Sequence, residues 1–69
     1  MTTTQAEAIV ARLSDAQVRN FASFRAGHDM TKSALYGLAK KGTVVQLEDG
    51  RWCPILPVLE AFNRRYPRP

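Results

Sequence analysis

The chain has a single cysteine, Cys53, and a single histidine, His28. It can therefore close no internal disulfide, and the two together fall short of the four ligands of a structural zinc site. One cysteine in so short a chain fits a reducing compartment better than a disulfide-stapled secreted one. Long apolar runs are missing too. No window approaches the roughly 18 apolar residues that signal a membrane span. The opening "MTTTQAEAIV" also lacks the basic start and continuous apolar stretch of a secretory signal. The expectation is a soluble, cytoplasmic protein without a membrane partner. Catalytic equipment is equally sparse: no nucleophile–base–orienter set, no enclosed carboxylate pair, no metal cluster and no phosphate-cradling glycine loop. Sixty-nine residues make one domain, 1–69, with loose ends at about 1–3 and 67–69, and are too few for a water-excluding pocket. No enzyme and no cofactor are expected.

Acidic residues are outnumbered. Six Asp/Glu stand against ten Lys/Arg, a net charge of +4 and a pI near 9.9. In a small domain such an excess points to an anionic partner, most often nucleic acid, provided the cations share a face.

Four helical segments can be read from capping signals and spacing. Thr4 with Glu7 matches a capping box, which pairs otherwise orphaned N–H groups at a helix start. Ala6, Ile9, Val10 and Leu13 then recur at i, i+3, i+4 and i+7, one apolar stripe. Ser14 with Gln17 repeats the box, and Val18, Phe21 and Ala22, with Phe24 at the edge, supply the second stripe. "RAGHD" interrupts at Gly27. Asp29 or Thr31 can cap a third helix, "MTKSALYGLAKK", ended by Gly42, a residue type that tolerates positive φ. Its inward face is Leu35, Leu38 and Ala39. Lys32, Tyr36 and Lys40, four apart, make an outer face with Ser33 and Gly37 beside them. Lys40 and Lys41 sit in the last turn, where the helix dipole favours cations.

"TVVQLE" and "RWCPI" flank Asp49-Gly50, which reads as a two-residue type I′ turn. That turn sets Glu48 against Arg51, Leu47 against Trp52 and Gln46 against Cys53. Val45, Leu47, Trp52 and Pro54 would then share the face that lies on the helices. Cys53 is expected to be inert and His28 to sit in a loop without special duty. Pro57 suits the first turn of a last helix, with Ile55, Leu59, Phe62 and Tyr66 on its apolar side and Arg64, Arg65 and Arg68 at its end.

Three helices, a β-hairpin and a C-terminal helix make an α+β, mainly α, chain. This is the layout of a winged helix-turn-helix, in which the helix before the hairpin enters the major groove and the hairpin is the wing. From Ser33 to Arg65 the chain also resembles the excisionase/MerR-type winged helix proteins of phages and mobile elements. In those, "STVYRLxRxG" leads to a wing carrying "GRRW" and then to "LEAFLRR". The matching stretches are "SALYGLAKKG" (33–42), "DGRW" (49–52) and "LEAFNRR" (59–65). Gly37 stands where the family often has arginine, and Glu48 and Asp49 make the wing tip acidic. The resemblance implies an excisionase-like factor or transcriptional regulator bound to double-stranded DNA. Lys32, Ser33, Tyr36, Lys40, Lys41 and Arg51 are the expected contacts, with Arg64 and Arg65 as additional phosphate contacts. The alternative is a winged-helix-derived module that binds a phage or host protein instead. A homodimer suits either, through Phe62 and Tyr66 of the last helix, unless those rings close the chain's own core.

Overall fold

Each of the first three helices begins at a hydroxyl side chain. A computed structural model describes residues 1–68. It contains α1 (Thr3–Ala11), α2 (Asp15–Arg25), α3 (Lys32–Lys40), β1 (Val44–Gln46), β2 (Trp52–Pro54) and α4 (Leu56–Arg65). The fold is α+β and mainly helical. Ser14 and Gln17 form the expected capping box at α2. At α3 the cap is Thr31, whose Oγ1 accepts from the Ala34 N–H at 3.2 Å. The box at α1 is Thr2 with Gln5, not Thr4 with Glu7. Two frames of the same spacing overlap here, and the earlier one wins. It leaves Glu7 in the helix body, where its carboxylate faces Arg64 Nη2 of α4 at 3.5 Å. Of the ends expected to be loose, Thr2 and Thr3 thus belong to α1 and its cap. Pro69 lies outside the described residues.

Ala6 and Val10 of α1, Phe21 of α2, Leu38 of α3, Val44 of β1 and Val58, Ala61 and Phe62 of α4 form the core. Phe21 and Phe62 meet at its centre, ring centroids 4.5 Å apart. α1 packs mainly on α4, and α2 on α3. The inward side of α4 includes Val58 and Ala61, which the sequence spacing of Ile55, Leu59, Phe62 and Tyr66 passed over. Phe62 is wholly buried and Tyr66 stacks against it at 4.8 Å. These rings therefore close the core of a single chain, and Phe62 is not offered to a second copy. Arg25 ties α2 to α4. Its guanidinium lies 5.0 Å from the Phe62 ring centroid and donates to Asn63 Oδ1 at 3.0 Å and to the Tyr66 carbonyl at 2.6 Å.

The end of α3 positions everything that follows. Gly42, at φ +79°, lets its N–H reach the Ala39 carbonyl while the Thr43 N–H reaches Leu38. This is a Schellman closure, and a side chain at this φ would be strained. Thr43 is fully buried and its hydroxyl also donates to the Leu38 carbonyl, at 2.8 Å. Thr43→Val keeps the shape and removes that bond. It should cost about 1 kcal/mol, a fall of roughly 4–8 °C in melting temperature for a domain this small, read by thermal circular dichroism.

The hairpin register differs from the sequence expectation by one residue. Val44 pairs with Pro54, Val45 with Cys53 and Gln46 with Trp52. The Leu47 N–H donates to the Arg51 carbonyl at 2.7 Å, and the Gly50 N–H to Leu47 at 2.9 Å. The loop is thus three residues, Glu48 to Gly50, a turn closed by a glycine at φ +88° in place of a two-residue type I′ turn. With β2 keeping its expected face, the one-residue slip moves the β1 side chains to the opposite one. Val44, not Val45, points into the core, and Val45 and Leu47 are left 46% and 39% exposed. Arg51 does not face Glu48. Its Nε instead donates to Asp49 Oδ2 at 2.5 Å, while its own N–H donates to Asp49 Oδ1 at 3.0 Å.

Candidate functional site

α3 is half apolar by sequence, and the fold uses that half. Leu35 and Leu38 are buried, whereas Lys32, Ser33, Tyr36 and Lys40 are all exposed. Steps of 100° per residue put those four on one arc, with Gly37 at its edge. Lys41, the C-cap residue, is exposed beside Lys40. The ion pairs among the described residues are Asp49–Arg51 and Glu7–Arg64, so Lys32, Lys40 and Lys41 present unneutralised charge. This is a cationic helix face with a hydroxyl, a phenol and no acidic residue on it.

The other expected cations do not join that face on the same terms. Arg51 is well exposed, but Asp49 holds it and Glu48 follows on the same loop, so the hairpin tip carries net negative charge. Arg64 is paired with Glu7 and lines a cleft between α1 and α4 with Val10, Ala61 and Arg65. The Arg65 guanidinium leans on the Tyr66 ring at 5.8 Å. Arg64 and Arg65 thus belong to the α1–α4 side of the molecule, whereas the α3 arc lies on the element packed against α2 and leading into β1.

Gly37 has no packing reason to be glycine. A Cβ there would meet nothing within 4 Å, yet a glycine in a helix interior costs about 1 kcal/mol relative to alanine. Gly37→Ala should therefore raise the melting temperature by roughly 4–8 °C. A decrease would show that the backbone at 37 is more confined than the open space around it indicates.

One contact in the site escaped the sequence. Trp52 is half-buried and packed on the core, and its ring meets that of Tyr36 edge-on, centroids 5.3 Å apart at 88°. Trp52 keeps the inward face expected of it, shared here with Val44, and so reaches α3. A groove of about 330 Å³ runs on from Trp52, lined by Phe24, His28, Met30, Leu35 and Arg51 among others. His28 is an exposed loop residue, and Cys53 lies opposite Val45, not Gln46. No group of three or more His, Cys, Asp or Glu side chains stands together as metal ligands among the described residues. Among the same residues no helix is long and apolar enough to cross a membrane. In comparisons with known proteins, no family model, no curated protein and no solved structure matches this chain.

Proposed function

We propose that this chain is a small winged-helix DNA-binding protein, of the kind used by phages and mobile elements as an excisionase-like factor or transcriptional regulator. The observation that carries this is the α3 face, where Lys32, Ser33, Tyr36, Lys40 and Lys41 are exposed together, free of ion pairs to acidic groups, on the helix that precedes the hairpin. The major groove admits one α-helix, and a helix joined by a turn to a supporting partner, as α3 is to α2, is the usual way to deliver one. Lysines supply affinity by displacing counterions from phosphate, and the side chains of Ser33, Tyr36 and Lys32 modulate sequence choice. Arg51, Arg64 and Arg65 are secondary, because each already leans on a neighbour. The test is fluorescence anisotropy of a labelled mixed-sequence duplex at low salt. Saturable binding at micromolar protein is expected, and its absence defeats the reading.

A second reading, a winged-helix-derived module that binds a phage or host protein, draws on a different observation. Val45 and Leu47 leave an exposed apolar surface beside an acidic hairpin tip. Val45→Lys with Leu47→Lys separates the two readings. DNA affinity stays level or rises if α3 is the working face, whereas a protein interface at the hairpin would be lost.

A further inference from the structure

In a winged-helix complex the hairpin tip is the part expected to grip phosphate, yet here that tip is its own counterion. Both carboxylate oxygens of Asp49 are engaged by Arg51, and Glu48 stands next to them without a cation among the described residues. Charge at the tip therefore opposes a polyanion. The base of the hairpin is built differently. Trp52 is anchored on the core and presents its ring edge-on to Tyr36, the one aromatic residue of α3. Tyr36 is 55% exposed, so one part of its ring is held and the rest is open.

We propose that the hairpin acts on DNA through this contact, with Trp52 as a positioning residue that fixes Tyr36, and Tyr36 as the side chain by which α3 discriminates between sequences. The inference rests on the DNA-binding reading above. Lysine is a flexible point charge shared between phosphate and guanine edges, so Lys32 tunes base choice only coarsely. Gly37 has no side chain, and Ser33 has only a short hydroxyl. Tyr36 alone on the arc offers both an apolar surface, suited to a thymine methyl, and a hydroxyl able to donate to or accept from a base edge in the major groove. Such a side chain discriminates only if its direction is set before binding, because a ring free to turn pays ordering entropy and satisfies several bases about equally. The edge-to-face geometry is the arrangement aromatic rings favour, and the Trp52 end of it is immobilised by the core.

The experiment enriches duplexes from a randomised pool with the wild-type protein. It then measures a discrimination ratio, the Kd for mixed-sequence duplex over the Kd for the best enriched duplex. Trp52→Leu should lower that ratio about tenfold, the size of one lost base contact, with the mixed-duplex Kd unchanged. Trp52→Phe should restore most of it. In a Tyr36→Ala background, Trp52→Leu should change nothing further. Arg51→Ala, which leaves Trp52 in place but bares the Asp49 carboxylate, should weaken both duplexes alike and leave the ratio unchanged; a fall in the ratio there overturns the indirect role of the hairpin even if Trp52→Leu fails to fold. If the Trp52 and Tyr36 losses multiply, or Trp52→Leu weakens both duplexes alike, the positioning role is wrong while DNA binding stands. A wild-type protein that binds no duplex removes both.

Discussion

Phe62→Ala should abolish the cooperative thermal transition. Phe62 is wholly buried, and its ring meets two others, Phe21 at 4.5 Å and Tyr66 at 4.8 Å, with the Arg25 guanidinium over it at 5.0 Å. Truncating a buried phenylalanine costs about 3–5 kcal/mol through lost burial and the cavity left behind. A single core in so small a domain rarely supplies more than about 3–5 kcal/mol of net stability. The loss thus matches the whole margin. Collapse around the cavity is hindered because α1, α2 and α4 converge there and the Arg25 bonds to Asn63 and Tyr66 depend on the same geometry. Phe62→Leu, which keeps most of the volume, should instead leave a measurable melt with a loss of about 1.5 kcal/mol or less. Thermal and urea denaturation followed by circular dichroism decide it. A cooperative melt for Phe62→Ala at a cost under about 2 kcal/mol would mean that the centre of the core lies elsewhere.

The helices were largely legible in the residues because their signals are local. A hydroxyl before an amphipathic run and Gly42 after one are satisfied by bonds that span only a few positions, and Leu35 and Leu38, three apart, mark one helix face. Where two local signals of the same spacing competed, as Thr2–Gln5 and Thr4–Glu7 do, spacing alone did not say which frame the helix takes. The hairpin shows the same limit. Asp49-Gly50 is compatible with a two-residue turn and with a three-residue loop closed by glycine. Val44 and Val45 are the same residue, so either can serve as the buried one. The burial of Thr43 under the end of α3, with the Ile55 N–H donating to its carbonyl at 3.0 Å, fixes the register from the other end of the ladder. On the candidate site, exposure of Lys32, Ser33, Tyr36 and Lys40 followed directly from helical period. The Asp49–Arg51 pairing did not, since it depends on that one-residue register, and neither did the Tyr36–Trp52 contact, since helical period does not show which residue of another element an exposed ring meets.

Raising salt from 50 to 200 mM should weaken duplex binding about 40-fold if the three unpaired lysines of the α3 face each displace a counterion, since affinity falls with a log–log slope of about −0.9 per phosphate contact. Lys40→Ala should make the slope shallower by about 0.9 and weaken all duplex sequences about equally, because a lysine–phosphate contact is blind to sequence. Tyr36→Ala should do the reverse, lowering discrimination with no change of slope. Gly37→Arg supplies the complementary gain. The open space at that position accepts the side chain, and one added cation on the arc should steepen the slope by about 0.9. Anisotropy titrations at four salt concentrations measure all of these on one set of axes. The outcome that counts against a polyanion on α3 is a slope that ignores Lys40 and Gly37 while binding persists. Charge elsewhere on the molecule, such as Arg12 and Arg19, would then be the source of affinity. The pattern of slopes, more than any single Kd, reports which face of the protein the ligand occupies.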